Sequence, residues 1–182
     1  MTRILPVIGF LSVLLMVAAL AAGLSIGDLH HLPVSQDTLH WATVHRLTGM
    51  AAALAVVLVE CIIVTYFIGT SRWCKEVVET YQFDPELVRE SNRLKRRTFP
   101  WALAGMLAVV GVSALGAAAD PTASGVLERQ VWTDWHLVAA LMGILFIAWT
   151  YIAAWNNVVA NQAIIERLVA EVCRVRQERG LD

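Results

Sequence analysis

Apolar residues run almost unbroken through four stretches, 4–27, 42–69, 99–119 and 134–156, and the charged residues gather between and after them. A helix needs roughly 20 such residues to cross about 30 Å of hydrocarbon at about 1.5 Å per residue, so each stretch predicts one membrane-spanning helix. Between the second and third stretches the pattern turns polar, from Ser71 to Thr98. There, Asp84-Pro85-Glu86 has the form of an N-cap followed by proline at the first helical position, which predicts a short helix running to about Arg97. Pro100 is expected in the first turn of the third span, where its missing N–H does no harm. After Asn157, the residues Ile165, Leu168, Val172 and Val175 recur at spacings of three and four with charges between them. That stripe predicts an amphipathic helix that packs under the bundle or self-associates.

The expected fold is therefore all-α: an integral membrane four-helix bundle forming one domain over residues 1–182. A helical hairpin extension over 70–98 and an amphipathic C-terminal helix over 157–182 complete it. Composition agrees, since 58% of the residues are hydrophobic and 16% charged, against roughly 45–50% and about 25% in soluble domains. The net charge of -1 says little as a total, because its distribution along the chain carries the information, and no nucleic-acid partner is expected.

Of the fourteen basic residues, all but Arg46 and Arg129 fall in the N-terminal tip, the 70–98 segment or the tail. The positive-inside rule places those segments and both termini in the cytoplasm, in a multi-pass protein of the inner (cytoplasmic) membrane. Arg3 ahead of the first run, and Ala19-Leu20-Ala21 within it, would also suit a cleaved secretory signal ending near residue 27. The run is longer than the roughly 7–15 residues of a signal core, which favours a retained helix. Cys61, Cys74 and Cys173 lie in a span or in cytoplasmic segments, so no disulfide is expected. No CxxCH, CxxC, Walker loop or nucleophile elbow occurs in the chain.

Ionisable residues inside spans are the candidates for chemistry, because each is costly in hydrocarbon. The second span opens with Trp41-Ala42-Thr43-Val44-His45-Arg46, and the fourth with Trp132-Thr133-Asp134-Trp135-His136. Each histidine follows a tryptophan by four residues, and both spans run inward from the outer face. His45 and His136 are thus expected at one depth, about 6 Å past the interface. Gly49 and Ala52 share the His45 face, and Ala140 and Gly143 share the His136 face. Small residues there leave room for a flat macrocycle, or equally for close helix contact. Two neutral imidazoles from different helices fill both axial positions of a heme iron, and Arg46 suits a propionate. The alternatives are interfacial histidines without a ligand, an arginine that snorkels to the headgroups, or a different metal.

The His45-Arg46-Leu47-Thr48-Gly49 stretch resembles the His-Arg-x-Thr/Ser-Gly motif in the cytochrome b subunit of succinate dehydrogenase. The pairing of that motif with His136-Leu137-x-x-Ala140 resembles one four-helix half of heme A synthase. The resemblance covers two helix starts and implies non-covalent heme b, with His45 and His136 as axial ligands. It stops there. The position that carries a quinone-binding serine in the first family and a glutamate in the second is Ala42 here. The first family's later histidine motif and the second family's second half are both missing, so oxygenase-type chemistry does not carry over.

Glu60, about 22 Å from His45 along the second span, is the one carboxylate well inside a span. It is a candidate for proton transfer or quinone contact, with hydrogen bonding to Thr150 or Asn157 as the structural alternative. His30, His31 and His40, with Asp28 and Asp37, crowd the outer loop without tetrahedral ligand spacing and read as solvated loop residues. The reading that follows is a membrane b-type cytochrome. It carries electrons between a quinol and a periplasmic or complex-bound partner, as an electron carrier or subunit more than a complete enzyme. The alternatives are a cofactor-free scaffold or accessory subunit of a larger complex, or a homo-oligomer of that kind, and a metal-dependent membrane enzyme.

Overall fold

The computed structural model describes residues 1–27, 29, 33–120 and 129–180. Four helices follow one another: α1 (Ile4–Leu24), α2 (Gln36–Tyr81), α3 (Glu86–Ala119) and α4 (Arg129–Glu178). All four are long and apolar enough to cross a membrane. Their large apolar side chains are exposed in number, among them Leu54, Leu58, Leu107 and Leu145, as befits surfaces that face lipid.

The predicted spans lie within longer helices. Hydropathy falls after residue 69, yet α2 continues to Tyr81. Its first turn is set by Ser35, whose hydroxyl accepts the Thr38 N–H at 3.1 Å. It ends where Gln82 adopts the left-handed conformation at φ 58° and its N–H closes on the Val78 carbonyl. Asp84 then accepts the Glu86 N–H at 2.8 Å and starts α3. The short helix expected from here does not stop before the third span. Pro100 sits well inside α3 rather than in its first turn, and costs the helix its bond to the Arg96 carbonyl. Asp37 and His40, expected in a loop, lie in the opening turns of α2.

Successive helices pack side by side, α1 also contacts α4, and α2 and α4 meet across the middle. Among the described residues α1 and α3 do not touch, so α2 and α4 form the central diagonal. The Trp155 indole donates to the Thr2 carbonyl at 3.1 Å, which puts the start of α1 level with residue 155 of α4. Along α2 the buried residues Ala52, Val56, Val59, Ile63, Phe67, Ser71, Cys74 and Val78 recur every three or four positions. The seam of α4 runs likewise through Ile147, Tyr151, Ala154, Val158, Asn161, Ile164 and Leu168. Both stripes pass from the apolar bundle into the polar end without a break, and there a second core forms around Cys74, Val78, Ile164 and Leu168. Leu168 of the predicted tail stripe is fully buried in it.

Candidate functional site

His45 projects from α2 and His136 from α4, so the diagonal pair of helices supplies both. Their ring centroids are 5.9 Å apart, with the planes at 75°. The Nδ1 of His45 lies 2.8 Å from the Ala19 carbonyl of α1, and that of His136 lies 3.1 Å from the Val112 carbonyl of α3. A carbonyl only accepts, so in each ring the proton is on Nδ1 and Nε2 keeps a free lone pair.

Both carbonyls belong to helix interiors and already accept a bond from the residue four positions on. That residue is Gly23 in α1 and Gly116 in α3. A methyl group at Gly23 would stand 2.9 Å from His45 Nδ1, and one at Gly116 would stand 2.9 Å from His136 Cε1. Glycine therefore uncovers the carbonyl on which each imidazole docks. The two docks are the same device, used once in the α1–α2 hairpin and once in α3–α4. Sequence reading missed both glycines, because glycine is common in membrane helices and nothing local sets these two apart. Their recurrence about 20 residues ahead of each Trp-x-x-x-His was the available signal.

The other expected residues divide. A methyl at Gly49 would meet nothing within 4 Å, so the His45 face is open one turn further in. At Gly143 it would stand 3.1 Å from a Val112 methyl, so α3 occupies that space and Gly143 serves helix contact. The Arg46 guanidinium reaches Asp120 at the end of α3, with N···O 3.0 Å and the arginine half exposed. Arg46 was expected at a propionate, and a protein carboxylate, which sequence reading did not connect with it, already holds it. His40 is exposed, with its ring edge-on to Trp41 at 5.7 Å. Asp28, His30 and His31 lie outside the described residues. Among the described residues no group of three or more His, Cys, Asp or Glu side chains converges as a metal cage would require.

Glu60 is fully buried in α2. Its Oε1 accepts the Thr150 hydroxyl at 3.0 Å, one of the two partners anticipated, while Asn157 donates instead to Thr98 at 3.0 Å. A side chain at Gly105 would collide with Oε1, so that glycine makes the carboxyl's room. Oε2 has no hydrogen-bond partner among the described residues.

Metal–imidazole bonds of about 2 Å each, added to the radii of two five-membered rings, come to about 6 Å between centroids. The observed 5.9 Å matches that span. The separation is thus of the size that one shared metal ion would require, and without an ion the two rings, each hydrogen-bonded to its neighbouring helix, stand as an edge-on contact between the hairpins. Comparison with known proteins yields no matching family model, no matching curated protein and no matching solved structure.

Proposed function

We propose that the protein is a membrane b-type cytochrome in which His45 and His136 hold one heme between the two hairpins. One observation carries the reading: the imidazoles stand 5.9 Å apart, each with Nδ1 tied to a backbone carbonyl of the neighbouring helix. Metal-ligating histidines characteristically donate their other ring N–H in this way, which fixes the tautomer and raises the basicity of the ligating nitrogen. The donor set fits the group, since neutral imidazole nitrogens are good ligands for heme iron and His45 and His136 would supply them. Gly49 gives a macrocycle open space on one side.

A heme held by His45 and His136 would supply a one-electron couple. The chain's own work is to fix the two rings through the Ala19 and Val112 carbonyls, which leaves Nε2 without a proton. Arg46, one residue from His45, is paired with Asp120 and would have to exchange that carboxylate to bind a propionate. With the positive-inside rule, the site lies near the outer face, both termini and the polar three-helix end are cytoplasmic, and quinol in the bilayer and a periplasmic or complex-bound protein are the fitting redox partners. Glu60 stands outside this reading.

The runner-up is a cofactor-free accessory subunit. The second core at the polar end favours it, because it gives α2, α3 and α4 a rigid surface beyond the apolar bundle. A dithionite-reduced minus air-oxidised spectrum of detergent-purified protein, with His45→Ala and His136→Ala beside it, separates the two. The cytochrome predicts a b-type α-band at about one heme per chain that falls at least about tenfold in both variants. Absence of the band from protein expressed with ample heme would leave the accessory subunit.

A further inference from the structure

Beyond the histidine pair, the strongest concentration of unspent charge lies at the other end of the molecule. A cleft of about 430 Å³ opens there between α3 and α4. Arg93 and Arg97, one turn apart on α3, and Arg167 on α4 form its walls, with Leu94 and Ile164 as apolar floor. Ala160 and Ala163 face the arginines from α4 and are too small to fill the gap. One carboxylate enters, that of Glu90, 4.0 Å from Arg167. Neither Arg93 nor Arg97 has a hydrogen bond or ion pair among the described residues, so the cleft keeps two uncommitted guanidinium groups.

The cleft also has a defined depth. Trp101 on α3 and Trp155 on α4 are both partly exposed, and tryptophans of this kind sit at the level of lipid headgroups. Trp135 and Trp155 are separated by about 30 Å along α4, the thickness of a hydrocarbon core. Arg97 lies about 6 Å and Arg93 about 12 Å beyond Trp101, on the water side. A guanidinium pair at that level meets phosphate oxygens, while Leu94 and the buried Ile164, at the same depth, close the cleft against the second core.

We infer that this cleft is a binding site for the phosphodiester headgroup of an acidic phospholipid, held by Arg93 and Arg97 with Arg167 closing the far wall. Guanidinium matches phosphate oxygens in geometry as well as charge, which makes arginine the suitable residue. The inference does not depend on heme at the other end.

The test is lipid retention by the full chain. Purified protein is equilibrated with mixed micelles of phosphatidylglycerol and phosphatidylcholine, washed, and its bound lipid counted by native mass spectrometry. Wild type should keep about one phosphatidylglycerol per chain in preference to phosphatidylcholine, without displacement by millimolar inorganic phosphate. A basic residue near an anionic surface contributes about fivefold, so Arg93→Gln with Arg97→Gln should weaken retention by about 25-fold. Arg89→Gln with Arg174→Gln, which removes the same charge outside the cleft, should not. Glu90→Gln should strengthen retention, a change opposite in sign to any folding defect. Equal losses in the two double variants, no gain from Glu90→Gln, no preference for phosphatidylglycerol, or full displacement by phosphate would each overturn the site.

Discussion

At the scale of single residues, the ring pair depends on what is missing from the helices beside it. A methyl at Gly23 or Gly116 would fall within 2.9 Å of an imidazole atom, inside any normal carbon contact. The ring must then give up its carbonyl. Gly23→Ala or Gly116→Ala should therefore cost about 1–3 kcal/mol at the site, by the usual penalty for overpacking. Heme content per chain, read from the reduced α-band, should fall several-fold in each. Gly111→Ala, whose methyl meets nothing within 4 Å, should leave it unchanged and is the control. Equal heme content in all three variants would count against the docks as ligand supports. Of this site the sequence made the histidines legible, because a titratable group one turn past a tryptophan stands out in an apolar run. It did not reveal their supports, since a glycine shows its purpose only when the ring it makes room for is placed beside it.

At the scale of elements, the four apolar runs were legible because hydrocarbon thickness imposes a length that few other structures share. The ends were less so. Hydropathy reports where the membrane stops, not where the helix stops, so the expected spans and helical extensions of α2 and α4 are each one continuous helix, held together by tertiary packing. Pro100 looked like a start signal for the same reason: a helix already under way from Glu86 tolerates it at the loss of one bond. Asn161 is the residue that ties these extensions together. Fully buried, it donates to Thr70 at 3.0 Å and Tyr66 at 3.3 Å on α2, and accepts from Ser91 of α3 at 2.8 Å. Asn161→Leu removes all three bonds at a buried position and should destabilise the protein by about 1–3 kcal/mol. Thermal melting followed by circular dichroism should show a clear drop in Tm, whereas Gln162→Leu on the adjacent, half-buried position should change it little.

At the scale of the whole molecule, the three cysteines sample three settings. Cys74 is buried in the second core, where loss of solvent pushes its thiol above the ordinary range, against a smaller opposing pull from Ser91. A raised thiol holds less thiolate at any given pH, so Cys74 should label more slowly with maleimide than exposed Cys173, by about tenfold or more at neutral pH, and the lag should shrink as pH rises. In a Cys61→Ser background, a membrane-impermeant maleimide should reach Cys173 in inverted vesicles and spare it in right-side-out ones. The reverse pattern would place the tail outside and invert the proposed orientation.

The duplicated dock has a wider meaning for how the molecule is put together. Each hairpin carries one histidine already oriented by its own partner helix, so neither half needs the other to form its share of the site. What the halves cannot do alone is bring the rings within reach of one another. Under the proposed heme ligation, colour becomes a gauge of assembly: a chain fully helical, inserted and correctly hydrogen-bonded within each hairpin would still stay pale until the hairpins close on one another.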